Sequence, residues 1–295
     1  MDGTAPHGRA KQRIESRSGR LGRWWVYLAV AVGGTWAFWL AAIALGVSFD
    51  SPVGLVLLLV GLATPGVAGI GFVYLVYDER GRADFWNRIT QLRRVSLRWL
   101  LVILLVPLGV SVLAGVLDLL LGGAGPRWGE GVTEFGVNPL AILPALFFAT
   151  LPPILEELGW RGYALDRLQL TWSALTASLI LGVVWAVWHL PLFFIEGSYQ
   201  HDAVGFGTTG FWLFMAGIVA LSAVFTWIYN NTERSISGII VLHGWVNFTA
   251  EIIVVPDPHY YGLWFVLAGA IVALWGAKTM TKADDVPHPP LSSAA

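Results

Sequence analysis

Six polar side chains lie in stretches that otherwise read as lipid-soluble helix: Glu156, Glu157, Arg161, His189, His243 and Asn247. A charge near the bilayer centre costs about 2.5–3.5 kcal/mol on insertion scales, so such residues are functional candidates by default. Together they offer an acid/base pair, a paired ion and two polar donors. That set suits hydrolysis inside a membrane.

Their spacing sorts them. Residues four apart on a helix share a face, so Glu157 lies over Arg161 and can pair with it. Glu156 is rotated by about 100° and has no such partner in its own turn, which leaves it to face the bundle interior as a base or acid. The ordinary explanation of Glu157 and Arg161 is a helix-end ion pair, and it covers most of what those two residues need. His189 falls inside an apolar span. Pro191 two residues on removes a backbone bond and frees the carbonyl of Val187, which membrane helices tolerate beside a polar neighbour. His243 and Asn247 are again four apart and point to one side. Glu251 continues that stripe and reads as a helix exit, as does Asp118 near the end of an earlier span. Depth adds a condition. His243 and Asn247 lie roughly 12–18 Å from the inner edge at 1.5 Å per residue. Glu156 reaches that level if its helix runs to about residue 165, and His189 if its helix begins late, after a turn over 166–171.

Rival intramembrane chemistries lack their motifs. The chain has no cysteine, which excludes a thiol nucleophile, thiolate zinc ligands and disulfides. There is no His-Glu-x-x-His helix, no Gly-x-Ser-x-Gly elbow and no aspartate pair placed for catalysis. A Glu/His/His/Asn site remains.

The elements that must position it are membrane helices. Hydrophobic residues make up 56% of the 295 and charged residues 13%, about half the charge a soluble domain needs to cover its surface. Sixteen Trp fit aromatic belts at two interfaces. Eight spans are expected at about 24–47, 53–77, 97–122, 138–165, 174–196, 210–229, 235–255 and 262–279. Lys and Arg cluster in the N-terminal arm, in 78–98, at Arg161, Arg167 and Arg234, and at Lys278 and Lys282. Eight spans with both termini inside leave only Arg127 on the outer side, as the positive-inside rule asks. The fold class is therefore an all-α polytopic bundle in a bacterial plasma membrane. Residues 1–23 form a basic arm, 24–279 the helical domain, and 280–295 a polar, Pro-rich tail, too polar from Lys278 onward to pack. Phe85, Trp86, Ile89 and Leu92 alternate with Arg88, Arg93 and Arg94 at helical spacing, which suits a segment lying on the inner face.

Glu156-Glu157-x-x-x-Arg161, aromatic-x-x-x-His189 and His243-x-x-x-Asn247 resemble the three-motif signature of the CPBP family. That family includes type II CAAX prenyl proteases and lysostaphin-resistance-A-like (Abi) proteins. The resemblance covers about 140–250, with Trp185 where phenylalanine is usual. It implies an endopeptidase cleaving a peptide bond near the cytoplasmic membrane face. Its substrate would be a hydrophobic or lipidated peptide, and lipids, not nucleic acid, its surroundings. Glu156 would activate water with help from His189, His243 and Asn247 would stabilise the oxyanion, and Glu157 and Arg161 would hold the architecture. The family's chemistry leaves two forms open. One is metal-free; the other places a divalent ion, zinc for choice, on Glu156, His189 and His243. Two other readings use the same helices. One is a membrane protein giving bacteriocin or toxin immunity by binding. The other is a small-solute transporter, for which the glycines at Gly66–Gly71 would mark an interrupted helix.

Overall fold

The structure, a computed structural model, describes residues 23–286, 288 and 289. The basic arm, Arg23 apart, therefore lies outside the described residues.

In chain order the helices are α1 (Trp24–Leu45), α2 (Pro52–Val76), α3 (Glu79–Thr90), α4 (Leu97–Leu120), α5 (Glu130–Val137) and α6 (Ile142–Gly159). A single π turn over Trp160–Ala164 joins α6 to α7 (Leu165–Gln169). Then come α8 (Ala174–Trp188), α9 (Thr209–Asn231), α10 (Ile236–Ile252) and α11 (Asp257–Trp275). Two short strands, β1 (Arg127–Trp128) and β2 (Ile253–Val254), pair antiparallel. Among the described residues seven helical stretches are long and apolar enough to cross a membrane, and α10 is an apolar helix of 17 residues. The chain is a polytopic, multi-pass helical bundle. Of the eight expected spans, α10 is the short one.

Local chemistry sets where these helices start. Ser51, Asp78, Ser173, Thr208 and Ser235 each accept a hydrogen bond from a backbone N–H of the first turn that follows. Helix α1 stops at Gly46, whose φ of 62° is left-handed. Prolines inside spans free carbonyls four residues back, and neighbouring helices supply the missing donors. Pro65 frees Gly61 O, which accepts the Thr35 hydroxyl at 2.8 Å. Helix α2 runs unbroken through Gly66–Gly71, so the interruption expected for a transporter is not there. Its glycines serve contact instead. A Cβ on Gly69 would fall 2.7 Å from the Gly159 Cα, so only a bare backbone lets α2 lie against α6 here.

Contacts sort the loops into two ends. At one end, Arg94 donates to Glu233 O at 2.8 Å, and Ala174 N donates to Lys278 O at 2.8 Å. At the other, Phe49 N donates to Glu196 O at 2.9 Å, Gly129 N donates to Ile252 O at 3.0 Å, and Arg127 pairs with Val254. The first end holds the arginine-rich segments and the second holds Arg127. The amphipathic segment near 78–98 is the helix α3, with Phe85 and Arg88 buried and Trp86 exposed. From Lys278 onward, expected to be too polar to pack, residues 279–281 and Val286 are nonetheless buried, while 282–285 are exposed. Met280 is fully buried, and its carbonyl accepts from the Asn231 amide at 2.8 Å.

Candidate active site

The segment from Pro139 to Gln169 runs as one helical stretch, so Glu156 sits well inside it, as the depth argument required. Its π turn follows directly after the two glutamates; such turns recur inside helices at functional sites. Glu157 accepts from Arg161 at 2.9 and 3.1 Å, the pairing expected from four-residue spacing. Arg161 is fully buried, with its guanidinium 5.0 Å from the Trp185 ring centroid and 4.9 Å from that of Phe225.

Glu157 does more than hold the arginine. Its Oε1 also accepts from His243 Nδ1 at 2.9 Å, across 86 residues of sequence. That bond fixes the proton on Nδ1 and turns Nε2 away from the ion pair. His189 is fixed the same way, its Nδ1–H donating to the Trp185 carbonyl at 2.7 Å. The residue lies inside the membrane-length stretch Ala174–Phe194, as expected, at the point where α8 ends with His189 as its C-cap. The reason is Pro191, which turns the chain into a tighter helical segment over Leu190–Phe194.

Trp185 is the hub. Its indole N–H donates to Glu156 Oε2 at 2.7 Å, its carbonyl orients His189, and its ring stands edge-on to His243 at 5.2 Å. Sequence reading valued Trp185 only as an aromatic, yet phenylalanine could not make the bond to Glu156. The donor was visible in the residue type; its target, 29 residues away, was not. Asn247 has a backbone anchor. Pro153 frees the Ala149 carbonyl, and the Asn247 amide donates to it at 3.2 Å. An amide carries two N–H groups, so one stays available.

Glu156, His189, His243 and Asn247 line one cavity of about 830 Å³. Glu156 is 4% exposed and His243 6%, so solvent reaches them only through that space. The cavity runs past Ala250 and Val255 to Tyr199 and Gln200, which lie at the end of the bundle that carries Arg127. No residue of α3, the π turn or the segment after α11 lines it. Buried Trp160, Tyr163, Arg161 and Phe225 close the site toward the arginine-rich end.

Among the described residues no three His, Asp or Glu side chains stand together as an ion's ligands. The arrangement does not fit a three-ligand centre on Glu156, His189 and His243.

The multi-pass helical bundle thus gathers a buried carboxylate, two oriented imidazoles and an amide around one cavity, a set whose chemistry suits hydrolysis. Residues 138–249 match the Rce1-like family, the type II CAAX prenyl endopeptidases. The chain is also 28% identical over 247 residues to CAAX prenyl protease 2 of Methanococcus maripaludis, covering 81% of this chain and 89% of that protein. The chain is thus similar, over its site-bearing helices and over most of its length, to type II CAAX prenyl proteases.

Proposed function

We propose that this chain hydrolyses a peptide bond within the cavity by a water molecule activated on Glu156, without a metal ion. The observation that carries the reading is the shared cavity. The free oxygen of Glu156, both imidazole Nε2 atoms and one Asn247 N–H have no other assigned partner there.

In this scheme Glu156 takes a proton from water, and the resulting hydroxide attacks the scissile carbonyl carbon. His189 Nε2 accepts a hydrogen bond from the same water and aligns it. Negative charge moving onto the carbonyl oxygen meets His243 Nε2–H and the second Asn247 N–H. The donor role of His243 asks for the imidazolium form, since Nδ1 already donates to Glu157. Collapse of the tetrahedral centre breaks the C–N bond, and the proton held by Glu156 passes to the leaving amine. Arg161 and Glu157 hold the histidine and touch no substrate.

The substrate class follows from the lining. Leu62, Phe148 and Trp188 make the cavity walls apolar, so a hydrophobic or lipidated peptide fits better than a charged solute. The test offers the purified, reconstituted protein a panel of hydrophobic-tailed and lipidated peptides beside its Glu156→Gln variant. Cleavage is expected from the parent chain and not from the variant. Equal cleavage by both would overturn the role of Glu156. A variant that protected cells from a peptide toxin as fully as the parent would favour immunity by binding.

A further inference from the structure

His189 is oriented by a bond within its own helix end, its Nδ1 donating to the Trp185 carbonyl four residues back. That bond fixes the ring relative to α8, but not the end of α8 relative to the bundle. The end of α8 is also where backbone bonding runs out. Trp188 is its last residue, and its carbonyl would ordinarily accept from an N–H three or four residues on. Pro191 has no N–H, and Leu192 N donates to the His189 carbonyl at 3.0 Å. The Trp188 carbonyl accepts instead from the indole of Trp36, on α1, at 3.2 Å.

The Trp188 side chain is tied to the same helix. Its indole N–H donates to the Thr35 hydroxyl at 2.9 Å. That hydroxyl donates in turn to the Gly61 carbonyl at 2.8 Å, so the fully buried Thr35 is committed both as donor and as acceptor. The Trp39 ring packs on Trp188 with centroids 4.8 Å apart. On its other side the Trp188 ring stands edge-on to the His189 imidazole at 4.7 Å. Two consecutive residues of α1 therefore hold the backbone and the side chain of the residue before His189. Helix α1 lies well before residues 138–249, where the family match falls.

We propose that Thr35 and Trp36 are positioning residues: they hold Trp188, and through it they set the place of the His189 imidazole in the cavity it shares with Glu156. Their effect on the rate rests on the proposed hydrolysis; the placement of the ring does not.

Two readouts test this. Thr35→Val keeps the shape and removes both hydrogen bonds, Trp36→Phe removes only the bond to the Trp188 carbonyl, and Thr35→Ser keeps the hydroxyl. A misplaced imidazole aligns water less well, so kcat should fall while KM stays within about twofold. The expected losses are roughly tenfold for Thr35→Val and roughly threefold for Trp36→Phe, the order of one or two neutral hydrogen bonds, with Thr35→Ser close to the parent. The second readout needs no substrate. In protein carrying isotope-labelled histidine, the NMR ring signals of His189 are assigned by their loss in His189→Gln. They should shift in Thr35→Val and in Trp36→Phe, while those of His243 stay in place. Trp36→Phe keeps the test open should Thr35→Val fail to fold. Unmoved His189 signals would overturn the proposal, as would signals of both histidines moving together with a lowered unfolding midpoint. A parent-like kcat in variants whose His189 signals do move would overturn the effect on the rate. No cleavage by the parent chain overturns the hydrolysis, while the ring signals still decide the placement.

Discussion

Two clusters of buried charge lie within this bundle, and they are built to opposite ends. One surrounds Glu156. The other joins Asp84, Arg88, Asp166, Tyr229 and Arg234 at the arginine-rich end. In the second cluster nearly every valence is used. Arg88 reaches Asp166 at 3.0 Å, the Tyr229 hydroxyl at 2.6 Å and the Gly162 carbonyl at 2.9 Å. Arg234 reaches Asp166 at 2.5 Å and Asp84 at 3.0 Å, and Tyr229 donates to Asp166 at 2.8 Å. Burial opposes the charge on Arg234, but Asp166, Tyr229 and Asp84 raise its pKa well above the ordinary arginine value. The same contacts hold Arg234 in a left-handed backbone, φ 61°, at the tight turn between α9 and α10. Two arginines balance two aspartates, and the cavity at Glu156 is not lined by any of them. Around Glu156, by contrast, each group is oriented by one bond and left with a free atom toward a shared space. Burial is common to both clusters. Leftover hydrogen-bonding capacity facing a cavity is what separates a site from a brace.

That contrast breaks if the two clusters respond alike to substitution. Glu156→Gln should lower the cleavage rate by about a thousandfold, within the range for loss of a positioned acid/base, while thermal unfolding in detergent stays close to the parent's. Asp166→Ala should do the reverse. It leaves two buried guanidiniums sharing the single carboxylate of Asp84, an arrangement expected to cost about 3–5 kcal/mol of stability. The readout is a lowered unfolding midpoint and a smaller yield of folded protein. Surviving folded Asp166→Ala protein should still cleave. A stable but inactive Asp166→Ala protein would move this cluster into the site.

The contrast also marks what the sequence discloses. Four-residue spacing on one helix was enough to pair Glu157 with Arg161, because helix geometry alone fixes that distance. Apolar runs placed the spans, and the depth condition on Glu156 was met because α6, the π turn and α7 continue as one stretch. The brace was invisible. Arg88 meets Asp166 and Tyr229 across 78 and 141 residues, and the loop arginines looked like ordinary anchors at the inner surface. The second task of Glu157, holding His243, was hidden for the same reason. Pro153 and Asn247 are a case between. A proline in a span announces an orphaned carbonyl four residues back, but not which helix brings the donor.

Trp185 sharpens the comparison at smaller scale, since it orients the site without facing charge of its own. Trp185→Phe keeps the ring against His243 and Arg161 and keeps the carbonyl that holds His189. Only the N–H to Glu156 is lost. A hydrogen bond to a charged group contributes about 1.5–3 kcal/mol, so the rate should fall roughly tenfold or somewhat more, with unfolding little changed. An unchanged rate would mean that Glu156 is positioned by packing alone.

The smallest expected effect is that of a chelator. The candidate ligands are Glu156, His189 and His243, whose hydrogen bonds to Trp185 and Glu157 leave one carboxylate oxygen and both Nε2 atoms free. No three of them stand as an ion's ligands among the described residues. Prolonged treatment with a strong zinc chelator should therefore leave the cleavage rate within about twofold, because the proposed water activation uses the carboxylate and not a metal-bound hydroxide. Loss of activity that returns on adding zinc would show the opposite. It would require the site to rearrange so that Nε2 of both histidines and the free oxygen of Glu156 meet at one point. The open cluster would then owe its unused valences to an ion and not to a substrate.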